Sequence, residues 1–127
     1  MGTFSVECRL ENPTDRARAV ALPGMLVDTG SECTWAPTQL LEEIGIVREK
    51  DISFVLAKGQ EITRSVGFAI VRLEGRLTVD EVVFAEPGDL LLLGARSLEG
   101  LNLTVDSARR RLLGAGPLPA ALSLAAR

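Results

Sequence analysis

The sequence predicts an all-β domain, and three observations lead to that prediction. Its 127 residues, 46% of them hydrophobic and 24% charged, suit a single domain that folds around its own core. Apolar and polar residues alternate along several short segments, as they do in half-buried strands. Turn signals separate these segments at intervals of about 8–12 residues, a spacing typical of barrels and sandwiches.

Strand and turn signals alternate through the first quarter of the chain. Residues 3–10 alternate in polarity and predict a first strand with one apolar face. The residues on that face are Phe4, Val6, Cys8 and Leu10. Asn12-Pro13-Thr14-Asp15 is a turn signal, after which residues 16–22 predict a second strand. Pro23-Gly24 is expected to break this strand before a short apolar run, Met25-Leu26-Val27.

The middle of the chain predicts a short helix or turn and then two hairpins. Apolar residues recur at helical spacing over residues 38–46. The four hairpin strands are expected at residues 51–57, 60–66, 67–74 and 76–84, with turns at Lys58-Gly59 and at Gly75.

The last third of the chain predicts shorter elements. Residues 86–89 form a turn signal, and the four leucines at residues 90–93 predict a strand buried on both faces. One or two helical turns are expected at residues 95–101, and residues 103–105 are expected to pair with residues 110–113.

The domain organisation follows from these elements. We expect a folded domain at residues 1–113 and a C-terminal tail at residues 114–127, with a short helix beginning at Pro119.

Composition excludes several kinds of chemistry and several partners. The chain has no His, which excludes Ser-His-Asp and Cys-His catalysis, and its two Cys cannot build a four-thiolate metal site. We therefore expect no metal and no cofactor. A net charge of −3 offers nothing that attracts nucleic acid or an anionic membrane, so neither is an expected partner.

The cellular location is expected to be cytoplasmic. The first residues lack a basic segment followed by an apolar one, the pattern of a secretory signal. In a reducing compartment Cys8 and Cys33 are expected to be free thiols.

The residues that carry chemistry form the run Met25-Leu26-Val27-Asp28-Thr29-Gly30-Ser31. A carboxylate that directly follows a buried strand can point into a cleft. Gly30 permits close backbone approach, and the hydroxyls of Thr29 and Ser31 can donate hydrogen bonds that orient the Asp28 carboxylate and change its pKa.

At these residues the sequence resembles the aspartic peptidases, and in particular their single-domain, retropepsin-like members. Leu26 to Ser31 is similar to the catalytic loop of that family, and the following Trp35 and Pro37 resemble the amino-terminal lobe of pepsin. The second family motif, two apolar residues and a glycine, is matched by Leu92-Leu93-Gly94. The resemblance covers about residues 3–106.

The resemblance implies both a fold and an activity. The fold would be a closed acid-protease barrel with one short helix after Leu92-Leu93-Gly94. Because the chain carries one Asp-Thr-Gly loop where pepsin-like enzymes carry two, the active site would need a homodimer that brings two Asp28 carboxylates together. The implied activity is that of an aspartic endopeptidase that hydrolyses protein or peptide substrates beside apolar residues.

The resemblance also implies roles for individual residues. Asp28, Thr29 and Gly30 would form the catalytic loop, in which Thr29 would lock the two loops together across the dimer. Ser31 would support the loop by donating to the carboxylate, which we expect to move the working pH toward acid. The hairpin of residues 51–66 would be the flap over the substrate, with Ala57, Lys58, Gly59 and Gln60 at its tip.

Three residues would line the substrate pocket: Glu32, Leu90 and Leu92. In the family an arginine directly after the late glycine pairs with the acid at Glu32. Here Ala95 holds that position and Arg96 comes one residue later, so the sequence does not predict this ion pair.

Other interpretations remain open. Asp28 could be an ordinary turn aspartate, and the domain could keep its fold and dimer as a catalytically silent binding or dimerisation module. The phosphate hairpin of sugar-kinase and actin-like ATPases also reads Asp-x-Gly-Ser/Thr, but that fold needs a far longer chain.

Trp35 is expected to pack in the core or against a loop. Cys33 is expected to be a passive small side chain, because no base is available to activate its thiol.

Overall fold

The computed structural model describes residues 4–122 and has nine strands and two short helices in that range. The strands are β1 (Ser5–Asn12), β2 (Asp15–Val27), β3 (Thr34–Pro37), β4 (Lys50–Val55), β5 (Glu61–Leu73), β6 (Arg76–Ala85), β7 (Leu92–Leu93), β8 (Leu103–Asp106) and β9 (Arg111–Gly114). The helices are α1 (Thr38–Glu43) and α2 (Ala95–Gly100). The all-β class is therefore confirmed, and α2 directly follows Leu92-Leu93-Gly94 as expected.

Seven of the strands form one sheet in the order β1-β2-β7-β3-β6-β5-β4, and β8 and β9 form a separate pair. β1 also pairs with β5, so the pairings of six strands run in a closed ring and β4 lies outside it. β2 runs parallel to β7. Because parallel strands end at the same edge, the residues that follow β2 and β7 meet there.

The main core cluster joins buried residues of the seven-stranded sheet to buried residues of α1, α2, β8 and β9. Its largest fully buried side chains include Phe84, Leu10, Met25, Leu41 and Leu93. A second, smaller cluster lies beneath the β4–β5 hairpin and contains Cys33, Val66 and Val83, with Trp35, Ile52 and Phe54 packed against it. The alternation predicted for residues 3–10 is present, since Cys8 and Leu10 are buried whereas Arg9 is exposed.

The predicted break at Pro23-Gly24 is wrong, because β2 continues through it. Val6 pairs with Met25 and Cys8 pairs with Leu22, so the two residues Pro23 and Gly24 face the single residue between Val6 and Cys8. This is a β-bulge, and Gly24 adopts the positive φ of 76° that favours glycine. The bulge changes the register without ending the strand.

The predicted boundary at Gly67 is also wrong, because β5 runs without interruption from Glu61 to Leu73. An added Cβ at Gly67 would lie 2.3 Å from the Val47 carbonyl oxygen. The glycine therefore marks a close approach between chain segments rather than the end of a strand.

The run of four leucines forms less strand than predicted. Only Leu92 and Leu93 belong to β7 and are buried, whereas Leu90 is 64% exposed. Leu90 lies before the strand, next to the Glu86–Asp89 turn, where no second sheet covers it.

The end of the chain differs from expectation in one respect. β8 and β9 pair as predicted, but residues 119–122 form no helix, and the remainder of the helix predicted from Pro119 lies outside the described residues. No helix within residues 4–122 has both the length and the apolar character needed to cross a membrane.

Candidate active site

The carboxylate of Asp28 is held by the backbone of its own loop. Asp28 follows the end of β2, and its N–H donates to the carbonyl of Leu93 at 3.1 Å. The N–H of Gly30 donates to Asp28 Oδ1 at 2.9 Å, and the N–H of Ser31 donates to the Asp28 carbonyl at 3.2 Å. These bonds close a tight turn around a half-buried carboxylate.

Thr29 and Gly30 are presented on the surface of the chain. Both are exposed, and the Thr29 hydroxyl makes no hydrogen bond to any residue that the structure describes. An added Cβ at Gly30 would lie 3.2 Å from Asp28 Oδ1, so a side chain here would crowd the carboxylate. The Asp28 side of the loop is thus hydrogen-bonded within the chain, whereas Thr29 and Gly30 are exposed on its outer side.

The hydroxyl of Ser31 does not orient the Asp28 carboxylate, contrary to the expectation from the sequence. It donates instead to the carbonyl of Cys33 at 3.1 Å. This bond stabilises the chain as it leaves the turn, and it removes the reason for expecting Ser31 to move the working pH toward acid.

The late glycine motif packs directly onto the Asp28 loop. At the start of α2, the N–H groups of Ala95 and Arg96 donate to the carbonyls of Ser31 and Glu32, at 2.7 and 3.0 Å. Such N–H groups have no partner within a helix, so the loop carbonyls satisfy them. The two motifs that the sequence indicated are therefore joined by backbone hydrogen bonds.

A buried chain of polar groups lies behind this junction, and sequence reasoning missed it. The N–H of Gly94 donates to Thr34 Oγ1 at 3.0 Å, Thr34 Oγ1 lies 2.6 Å from Ser97 Oγ, and Ser97 donates to Asp80 Oδ2 at 2.8 Å. Because the one Ser97 proton goes to Asp80, Thr34 is the donor to Ser97. Hydroxyls in short strands and helices give no pattern that would have identified this chain.

The ion pair that the sequence did not predict is present. Arg96 Nε lies 3.3 Å from Glu32 Oε2, and Arg96 Nη1 lies 3.2 Å from Glu81 Oε1. Glu81 also pairs with Lys50 at the base of the β4–β5 hairpin. The arginine still reaches Glu32 because its long side chain extends back from the first turn of α2.

The β4–β5 hairpin covers one side of the Asp28 loop, and its turn holds the four residues expected at the flap tip. Gly59 has a φ of 86°, and its N–H donates to the carbonyl of Leu56 at 2.8 Å. A cleft of about 460 Å³ separates the hairpin from the loop. Its lining residues include Gly30, Ser31, Glu32, Cys33 and Arg96 on the loop side, and Ile52 to Leu56 and Ile62 on the hairpin side.

A second cleft of about 300 Å³ adjoins the first and contains the other two residues expected to line a substrate pocket. Leu90 and Leu92 lie on one side of it, and Leu56 and Ile62 of the hairpin lie on the other. Ser31 and Trp35 line both clefts. The structure therefore gathers Glu32, Leu90 and Leu92 around the loop that carries Asp28.

Trp35 packs against the hairpin, as the sequence interpretation favoured. Its ring centroid lies 4.9 Å from that of Phe54, with the two planes inclined by 50°. Because Trp35 also lines both clefts, a residue expected only to pack forms part of their walls.

Both cysteines are buried free thiols, as predicted. Burial raises the pKa of the Cys33 thiol and raises that of Cys8 to about 12. A thiol with a raised pKa carries little thiolate near neutral pH and is a poor nucleophile. Cys33 is therefore a passive part of the cleft wall.

Comparison with known proteins agrees with this geometry. The family model for aspartyl proteases matches residues 20–97, more than half of the chain, which includes both loop motifs and the flap-like hairpin. The chain therefore belongs to the aspartyl proteases. Within that class it is a retropepsin-like aspartic protease.

One solved structure with a similar fold is the solution structure of the Simian Foamy Virus (mac) protease. It superposes with a TM-score of 0.52 at 20% sequence identity, covering 76% of this chain and 92% of that chain. At this identity the likeness concerns the fold alone. No curated protein matches the chain.

Proposed function

We propose that the protein is an endopeptidase whose active site forms between two copies of the chain, with Asp28 of each as the catalytic carboxylate. The observation that carries the proposal is the loop itself. The Gly30 N–H donates to Asp28 Oδ1, and Thr29 and Gly30 are exposed next to it. Gly30 lines the larger cleft and Ser31 lines both clefts. Each copy would be the closed barrel that the ring of strand pairings supports.

The proposed mechanism needs two carboxylates because peptide hydrolysis needs a base and an acid. One Asp28, ionised, would take a proton from a bound water, which then attacks the peptide carbonyl. The other Asp28, protonated, would donate to the developing oxyanion. Two carboxylates about 3 Å apart share one proton because both cannot ionise, as is known for aspartic proteases as a class.

The clefts favour a substrate with apolar side chains beside the bond that is cut. Leu90 and Leu92 face Leu56 and Ile62 across the smaller cleft, and Leu90 and Leu56 are both exposed. A substrate side chain that covered these leucines would remove apolar surface from water. This burial would stabilise the complex by about 25 cal/mol for each Å² of apolar surface. The Glu32–Arg96 pair supplies polar groups to the larger cleft.

Peptide cleavage by the wild type and by Asp28→Asn tests the assignment of the catalytic residue. Asparagine keeps the shape and can still accept from Gly30, but it can neither ionise nor carry the shared proton. We expect the wild type to cleave a mixed peptide pool beside apolar residues, and Asp28→Asn to lose at least about 10³-fold in kcat/KM. Asp15→Asn is the matched control, since Asp15 is exposed at the start of β2 and lines neither cleft.

Mixing the two proteins tests whether the site is shared between copies. If each site needs two Asp28 carboxylates, adding Asp28→Asn protein to a fixed amount of wild type should lower the cleavage rate, because mixed dimers are inactive. An unrelated protein at the same concentration should have no such effect. A rate that does not change would show that one chain is sufficient. Absence of cleavage at any pH from 3 to 7, from a protein that light scattering shows to be dimeric, would favour the binding or dimerisation module.

A further inference from the structure

The loop that forms one wall of the smaller cleft is tied to the flap strand by one ion pair. Arg64 of β5 binds Asp89 through two parallel contacts, Nε to Oδ2 at 2.7 Å and Nη2 to Oδ1 at 3.0 Å. The two side chains are only 15% and 14% exposed. A fork-to-carboxylate arrangement of this kind fixes orientation as well as distance.

Few other contacts hold this loop in place. Within residues 4–122, the side-chain hydrogen bonds and ion pairs that reach residues 86–90 from outside them all come from Arg64. Inside the loop, the N–H of Glu86 donates to Asp89 Oδ2 at 2.8 Å, and the N–H of Asp89 donates to the Glu86 carbonyl at 2.9 Å. The turn is therefore closed by its own hydrogen bonds, and between its anchored ends, Ala85 of β6 and Leu91, its side-chain polar contacts with the rest of the described chain all go to Arg64.

The loop is also a thin wall with space on both faces. The cleft of about 300 Å³ lies on one side of the loop. A third, open surface cleft, also of about 460 Å³ but lined in part by Thr38 and Gln39 of α1, lies on the other side. Gly88 and Asp89 line both. Since packing does not fix a wall with space behind it, the Arg64–Asp89 pair has to do so.

The position of Arg64 connects the ion pair to the width of the cleft. Successive residues of a strand point to opposite faces, so Arg64 lies on the same face of β5 as Ile62. Ile62 lines the cleft, while Leu90, next to Asp89, lies on its opposite side. One pair thus sets the separation between Ile62 and Leu90.

We propose that Arg64 and Asp89 are specificity-determining positioning residues, which fix the width of the cleft between Ile62 and Leu90 and so select the size of the apolar side chain that it accepts. This inference rests on the proposed peptidase function. Neither residue is expected to contact the bond that is cut.

The test uses peptides that differ only in the apolar residue beside the cleaved bond, running from Ala through Val and Leu to Phe. We expect Arg64→Gln and Asp89→Asn each to reduce about tenfold the ratio of kcat/KM between the best and the worst peptide, chiefly through KM. Asparagine at position 89 can still accept from Glu86, so the turn is kept while the charge is lost.

Arg72→Gln is the matched control. Arg72 lies on the same strand, and its Nε binds Glu11 Oε2 at 2.6 Å, away from the clefts. This variant should change kcat/KM by the same factor for all peptides, so that the ratio between the best and the worst peptide stays unchanged. The proposal is wrong if the Arg64 and Asp89 variants also lower kcat/KM by the same factor for every peptide, because such a uniform effect would reflect loss of stability alone.

A binding measurement separates this proposal from the proposed function. Trp35 is the single tryptophan of the chain and lines the cleft, so its fluorescence reports peptide binding without cleavage. If the wild type binds the peptides selectively but cuts none, loss of that selectivity in the two variants supports the inference while the peptidase proposal fails. Equal binding of all peptides by the wild type, or no binding, overturns the inference.

Discussion

At the scale of single residues, the candidate site is built from backbone contacts that tolerate no added atoms. Gly94 shows this most clearly. A Cβ at this position would lie 2.3 Å from the Cys33 carbonyl oxygen and 2.8 Å from that of Glu32. Its φ of −92° is open to any residue, so the reason for glycine here is space and not backbone conformation.

Gly94→Ala is therefore expected to displace the Asp28 loop. The added Cβ would meet the backbone carbonyls of Cys33 and Glu32. Hydrogen bonds from the start of α2 hold this backbone, so moving it would cost stability. We expect a loss of about 1–3 kcal/mol in the free energy of unfolding, measured by urea denaturation, and a larger proportional loss of peptide cleavage.

Gly114→Ala is the matched control for this change. Its added Cβ would meet the guanidinium end of Arg76, which can shift only by weakening its hydrogen bonds to the Leu101 and Asn102 carbonyls. The loss of stability should therefore be about 1 kcal/mol or less, and peptide cleavage should be kept because the Asp28 loop is not displaced. Equal losses in the two variants would contradict the packing argument for Gly94.

At the scale of elements, signals that are local in the sequence predicted the structure well. The turns near Pro13, Gly59, Gly75 and Gly88 lie where their turn residues placed them, because turn chemistry depends on a few adjacent residues. The breaks predicted at Gly24 and Gly67 were wrong, since Gly24 provides the positive φ of a β-bulge within β2 and Gly67 permits the close approach of the Val47 carbonyl. Local sequence does not encode such contacts.

The same distinction applies to the candidate site. The Asp28 loop and the late glycine could be found from the sequence because each is a contiguous motif. The pairs Glu32–Arg96 and Arg64–Asp89 could not, because their members lie 64 and 25 residues apart. Their distance in space depends on how α2 begins and on how β5 passes the Glu86–Asp89 turn.

The flap-like hairpin offers a prediction at this scale. Phe54 of β4 packs on Trp35 of β3 and is the aromatic contact between the hairpin and the body of the domain. Phe54→Ala should expose the Trp35 ring and shift its fluorescence emission to longer wavelength. It should also lower the free energy of unfolding by about 1–3 kcal/mol, since an aromatic pair adds to the area that it buries.

Phe68→Ala provides the control for the hairpin, because it removes the same side chain from β5 at a partly exposed position away from Trp35. Its emission spectrum should match that of the wild type. An unchanged spectrum in Phe54→Ala would show that this aromatic contact does not hold the hairpin in solution.

At the scale of the whole molecule, two ion-paired carboxylates determine how the fold responds to acid. Burial alone would raise the pKa of the Glu11 carboxyl, but hydrogen bonds from Arg72 and Arg9, together with the charges of Arg72 and Arg16, outweigh burial, so the pKa is lowered. The hydrogen bond from Arg64 is the main reason that the pKa of Asp89 is lowered. Both groups stay ionised in the folded chain at a pH where the unfolded chain takes up protons.

The sign of the effect on stability follows from linkage. Unfolded glutamate has a pKa of about 4.5 and unfolded aspartate one of about 3.8. Above these values both states are ionised and the stabilisation is complete. As the pH falls below them the unfolded chain binds protons first, and the stabilisation is lost as the pH passes through the lower, folded-state pKa values.

Glu11→Gln tests this account of acid stability. Glu11 is 4% exposed and close to three arginines, Arg9, Arg16 and Arg72. Its neutral replacement should lower the free energy of unfolding at pH 7, and the curves of variant and wild type should converge as the pH falls below about 4.5. Glu7→Gln, at an exposed position of the same strand, is the control and should keep the wild-type free energy of unfolding at pH 7. Curves for Glu11→Gln and wild type that stay parallel would show that the arginine cluster does not set the acid limit of the fold. If they converge, that limit also sets, on the acid side, the pH range in which the folded chain can be assayed for peptide cleavage.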